Sequence, residues 1–117
     1  MGAHYEDVAQ AWYVSHGFTI IARNLRVGRL EIDLIVSDPA AIIFVEVKGG
    51  NPDLFGHPAY RVDKRKRERL IRAAQNWLSE NPSDGRDVRF DVFVVTASRA
   101  GDRIERYENA ISVDDSL

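Results

Sequence analysis

Cysteine is absent from the 117 residues, which excludes disulfides, thiolate metal sites and cysteine nucleophiles. That absence fits a reducing compartment, and a cytoplasmic protein is expected. Long apolar runs are also missing. No stretch approaches the roughly 18 residues of a membrane span, so no membrane partner is expected. The opening Met1-Gly2-Ala3-His4-Tyr5-Glu6-Asp7 lacks a basic region followed by an apolar one, so no signal peptide is expected either. Histidine is scarce, and His4, His16 and His57 have no metal-ligand spacing; they read as surface or loop residues. No helix-turn-helix, zinc finger or aromatic stacking platform is recognisable, which argues against readout of a base sequence.

What is present is an ordinary globular composition, 44% hydrophobic and 29% charged, in a length that suits one domain over residues 1–117. The net charge of −2 conceals a strong asymmetry. Arg61, Lys64, Arg65, Lys66, Arg67, Arg69 and Arg72 lie close together, opposed within that segment only by Asp63 and Glu68. A locally basic segment in an acidic chain is a candidate polyanion contact, and equally a solvated helix face.

Periodicity divides the chain. Tyr5, Val8, Ala9, Trp12 and Tyr13 form one helical stripe from about Tyr5 to His16, with Gly17 placed to end it. Glu6 falls on the shoulder of that stripe, facing a cleft or favoured as a first-turn acid by the helix dipole. Strands are expected at Phe18–Asn24, Leu30–Val36, Ala41–Lys48 and Val88–Val95, with a short last one at Arg103–Tyr107. The third is apolar on both faces until Glu46, as a central strand would be. The aperiodic stretch from Gly49 to about Val62 is long enough to suggest a functional loop. A second helix is expected from about Lys64 to Glu80, with Asp63 as N-cap and Leu70, Ala73, Ala74, Trp77 and Leu78 buried. Arg23, Asn24 and Arg26 precede the hairpin as candidate phosphate contacts, with a turn equally open to Asn24; Glu31 shares the period-two face of Asp33, as a supporting acid or a surface charge; and Asp91 suits a structural partner for a basic residue. The predicted class is α/β with a mixed central sheet.

The chemistry gathers where the second and third strands meet. Asp33 and Glu46 lie thirteen positions apart on successive strands, which a hairpin can bring side by side. Glu46 and Lys48 leave one face of one strand. Two carboxylates and an ammonium suit metal-assisted phosphodiester hydrolysis: carboxylate oxygens hold Mg²⁺ (or Mn²⁺), and lysine orients water and steadies charge on phosphorus. The plainer alternative is a cross-strand ion pair, with Lys48 neutralising Glu46 or Glu31.

Many further residues fit one pattern in order. They are Glu6 and Ala9; Gly17-Phe18; Ala22-Arg23-Asn24-Leu25-Arg26; Glu31-Ile32-Asp33-Leu34-Ile35; and Phe44-Val45-Glu46-Val47-Lys48. Val62, Lys66, Ala74, Trp77-Leu78, Arg89-Phe90-Asp91-Val92 and Asn109-Ala110 complete it. Over nearly its whole length the chain resembles the YraN-like family of predicted endonucleases, in the PD-(D/E)XK superfamily of restriction enzymes and archaeal Holliday-junction resolvases. The resemblance implies a restriction-endonuclease-like α-β-β-β-α-β core and an active-site set of Glu6, Asp33, Glu46 and Lys48. It also implies DNA as substrate, branched structures included, and a two-fold homodimer, since cutting two strands needs two sites. Lys64, Arg65, Lys66, Arg67, Arg69 and Arg26 are the expected nucleic-acid contacts. Two departures stand out: Leu30 occupies a position where the family usually has glycine, and Gly49-Gly50 replaces serine or threonine and arginine. The rival expectations are a non-catalytic nucleic-acid binder of the same fold and a protein-interaction module that uses the basic helix.

Overall fold

A computed structural model describes residues 2–49 and 64–111. The elements follow as α1 (Gly2–Ser15), β1 (Thr19–Val27), β2 (Leu30–Ser37), β3 (Ala41–Gly49), α2 (Lys64–Glu80), β4 (Asp87–Ser98) and β5 (Gly101–Ile111). The strands form one mixed sheet in chain order, β1-β2-β3-β4-β5. Neighbours are antiparallel except β3 and β4, whose parallel pairing needs a crossover, and α2 lies in it. This is the expected α-β-β-β-α-β order followed by the expected last strand, compatible with a restriction-endonuclease-like core. The expected loop from Gly50 to Val62, with His57 and the Asp63 cap, lies outside the described residues.

Each face of the sheet carries a helix because the central strands are apolar on both sides. In β3, Ala41 through Val45 are all buried. Ile42 and Phe44 pack with Leu70, Ile71, Ala73 and Ala74 of α2. Ile43 and Val45 pack on the other face with Ala9 and Tyr13 of α1. Alternation therefore sends Glu46 and Lys48 to the α2 face. Gly17, at φ 90, ends α1 as expected; the left-handed backbone there suits glycine.

Several features differ from expectation. Strand β1 runs on to Val27, and Asn24 is not a turn residue; it sits mid-strand at φ 52. The ladder pairs Arg23 with Leu34 and Leu25 with Ile32, which sets Asn24 opposite Asp33; the register shift of this ladder lies earlier, between Ile20 and Ala22. In β2, Ile32 and Ile35 pack in the same layer although three apart, so strict alternation breaks at Asp33. The carboxylates of Glu31 and Asp33 nonetheless converge, with oxygens within 4.8 Å of each other, as a shared face would place them. Strand β5, expected as five residues, spans eleven because β4 offers it a full antiparallel edge.

Candidate active site

The β2–β3 ladder runs from Ser37↔Ile42 to Leu34↔Val45 and goes no further, although β3 stays paired with β4 as far as Gly49. Beyond Leu34 the hairpin opens, and β3 backbone groups on that side need another partner. Asp33 supplies one: its Oδ2 accepts a hydrogen bond from the Val47 amide at 2.8 Å. The Asp33 carboxylate thus lies along the sheet at the point of divergence, beside Glu46.

Burial is the main cause of a rise in the Asp33 pKa to about 6. The Val47 hydrogen bond opposes that rise, and the charges of Glu46, Glu6 and Glu31 add to it. Glu46 is half-buried, and its Oε1 receives the ammonium of Lys66 from the first turns of α2. Its Oε2 is buried and has no hydrogen-bond partner among the described residues. Lys66, expected at the phosphate backbone, is therefore the partner of Glu46. Of the cross-strand pairings considered for Glu46, Lys48 is not the one adopted, because Lys66 reaches the carboxylate from the helix above. Lys48 itself forms no ion pair among the described residues and points to the same α2 face.

On the other face α1 contributes Glu6. The helix begins at Gly2, so Glu6 lies beyond its first turn, and the reading as a first-turn acid is set aside. Its side chain is 13% exposed, with Oε1 3.5 Å from Arg23 Nε. Single carboxylate oxygens of Glu6, Glu31 and Asp33 lie within 4.8 Å of one another. Glu31 thus stands with Glu6 and Asp33 in this group, which Glu46 does not join, and Arg26 stands 3.8 Å from Glu31. Arg23 is spoken for by Asp7 at 2.7 Å, Gln10 at 3.3 Å and Glu6, which makes it a brace between α1 and β1 rather than a phosphate contact.

Next to this site the Tyr5 ring lies over Gly49 so closely that a Cβ there would overlap it. The departure from serine or threonine after Lys48 has a physical counterpart: the aromatic ring fills the space a side chain would take. The basic residues divide. Lys66 turns inward, whereas Lys64, Arg65 and Arg69 are exposed and Arg67 is half-buried.

Asp91 is a buried acid away from this site. It accepts from Tyr13 Oη at 2.7 Å and pairs with Arg89 and Arg106 at 3.3 and 3.2 Å. The expected basic partner is present twice. Trp12 is half-buried rather than fully in the core, stacked on His16 and covered by the Arg106 guanidinium 4.5 Å from its ring centre. No helix among the described residues is long and apolar enough to cross a membrane.

Residues 5–95 match the model described as Uncharacterised protein family UPF0102. A UPF0102 protein of Chloroherpeton thalassium is 45% identical over 94 residues, covering 80% of this chain and 73% of its own. One from Beutenbergia cavernae is 41% identical over 101 residues, 86% of each. One from Nitratidesulfovibrio vulgaris is 39% identical over 116 residues, 99% of this chain and 87% of its own. With Asp33, Glu46, Lys48 and Lys66 all inside the matched span, the chain belongs to the UPF0102 family, the YraN-like proteins.

Proposed function

We propose that this protein is a metal-dependent endonuclease of the PD-(D/E)XK type that hydrolyses phosphodiester bonds in DNA, branched structures included. The observation that carries this reading is the state of Glu46: one oxygen faces an ammonium, and the other is buried with no partner among the described residues, beside the desolvated Asp33. A buried carboxylate oxygen without a partner is costly. An all-oxygen donor set of this kind suits a hard divalent cation. Asp33 and Glu46 would hold Mg²⁺ or Mn²⁺, which supplies charge neutralisation at phosphorus and a more acidic water.

The protein's own groups do the rest. Lys48, on the Glu46 face of β3, orients the attacking water and receives charge building on the phosphate. Lys66 neutralises Glu46, and its flexible stem lets the ammonium turn to a phosphate oxygen as substrate arrives. Glu6, steadied by Arg23, borders the site from α1. Lys64, Arg65, Arg67, Arg69 and Arg26 contact the backbone. Two copies related by a two-fold axis would cut both strands.

Cleavage assays with Mg²⁺ or Mn²⁺ on linear, flapped and four-way-junction DNA test the reading. Asp33→Asn, Glu46→Gln and Lys48→Ala should each abolish cleavage while DNA affinity in EDTA changes little. The Tm of the wild type should rise with millimolar Mn²⁺, and that of the Asp33→Asn/Glu46→Gln double variant should not. Wild-type protein that cuts none of these DNAs removes the enzyme. A second reading, a non-catalytic DNA binder of the same fold, then leads; the internal Lys66–Glu46 pair favours it, because it satisfies one carboxylate oxygen without a metal.

A further inference from the structure

A groove of about 450 Å³ lies between the tip of the β1–β2 hairpin and α2. Its polar lining is Arg29, Arg69, Arg72 and Asn76, set on an apolar floor that includes Val27 and Leu30. Among the described residues, no carboxylate lines it. The three guanidiniums come from two elements that local sequence does not join. Arg69, Arg72 and Asn76 share one face of α2 at i, i+3 and i+7. Arg29 is presented by a two-residue turn in which Gly28 takes φ 62, the positive value a type II′ hairpin needs at its first central position.

Like charges converge here without relief. Among the described residues, Arg29, Arg69 and Arg72 form no salt bridge, whereas Arg23, Arg26, Arg89 and Arg106 each have a carboxylate. Three exposed guanidiniums around one concavity repel one another and concentrate positive potential in it. Arginine's planar fork matches the oxygens of a phosphodiester, so the chemistry that completes this groove is a chain of phosphates.

We propose that this groove is a second nucleic-acid subsite, which grips the backbone of a DNA strand a few nucleotides from the site of hydrolysis. Leu30, in its lining, is three residues from Asp33 along β2, about 10 Å at strand rise. Arg69 and Arg72 stand about 4.5 and 9 Å beyond Lys66 along the helix axis. At about 3.4 Å of axial rise per nucleotide, the gripped phosphates are roughly three removed from the one at Glu46. The position relative to a scissile phosphate rests on the nuclease reading; the affinity of the groove for phosphates does not.

The test is fluorescence anisotropy with a labelled DNA duplex in EDTA over a series of salt concentrations. It compares wild type, Arg29→Ala/Arg72→Ala and Arg86→Ala, the last at the opposite end of the sheet. The groove variant should bind at least about ten-fold more weakly, and its slope of log affinity against log salt should be shallower by up to about 1.8, the value for two phosphates no longer neutralised. Arg86→Ala should match wild type. Circular dichroism checks that both variants are folded, and Arg29→Lys/Arg72→Lys should recover most of the salt slope. Unchanged affinity and slope in the folded Arg29→Ala/Arg72→Ala variant would overturn the subsite. So would poly-glutamate binding as tightly as DNA and depending on the same arginines, which would make the groove a seat for an acidic protein. If the groove behaves as expected but no DNA is cut with Mn²⁺, the subsite stands and the nuclease reading alone fails.

Discussion

At the scale of single residues, Asp33 links site and stability most directly. Its ordinary value of 3.8 is raised to about 6, mainly by burial. The folded protein therefore holds the Asp33 proton more tightly than the unfolded chain does. Its contribution to stability is complete below about 3.8 and is lost as pH rises through about 6. Asp33→Asn keeps an acceptor for the Val47 amide and removes the charge. In EDTA that variant should be more stable than wild type at pH 8, by about 1 kcal/mol once partial solvation is allowed for. The advantage should close by pH 4, which thermal melts across that range can follow. A constant gap would place the effect in packing instead of ionisation.

At the scale of elements, the Asp91 network clamps α1 to the far half of the sheet. Tyr13 from α1, Arg89 from β4 and Arg106 from β5 all reach its carboxylate, and Glu108 closes the outer side at 3.1 Å from Arg89 and 3.4 Å from Arg106. Burial, with the Asp91 charge beside it, holds the Tyr13 hydroxyl protonated well above the usual phenol range. Asp91→Ala strands the Tyr13 hydroxyl, leaves Arg89 and Arg106 to the more exposed Glu108, and should cost about 3–5 kcal/mol in urea denaturation. Tyr13→Phe removes one hydrogen bond and should cost about 1–2 kcal/mol. The double variant should lose less than the sum, because the two residues share that bond. An additive result would mean that Tyr13 and Asp91 act separately, α1 being held by apolar packing alone.

For the whole molecule, the distribution of charge sets what can approach. The outward face of α2 and the β1–β2 tip are basic, while carboxylates gather where β2 and β3 part. A polyanion drawn to the first surface is brought to the second, where its own charge needs a cation to be tolerated. Cutting both strands of a duplex requires a second site, so the proposed enzyme should self-associate. Sedimentation velocity at micromolar concentration should show a dimer, and a sole species near 13.2 kDa would remove that proposal.

What could be read from the chain alone was whatever depends on local periodicity. Both helices, the α/β order and the central character of β3 follow from apolar spacing, because the face an element buries is written at intervals of 3.6 or 2 residues. The nearness of Asp33 to Glu46 was legible for the same reason, since a short hairpin leaves few registers. The lysine that meets Glu46 was not legible as such. Lys66 stands twenty positions further on in a helix of many cations, and only the docking of α2 over Phe44 selects it from among them. Asn24 suited a turn because asparagine tolerates the left-handed backbone that turns use, whereas tertiary pairing with β2 places that conformation, φ 52, inside a strand. Arg29 and Arg72 carried no signal of a shared purpose. A hairpin tip and a helix face forty-three positions apart converge only when both are packed on one sheet, and that packing decides where the positive field lies.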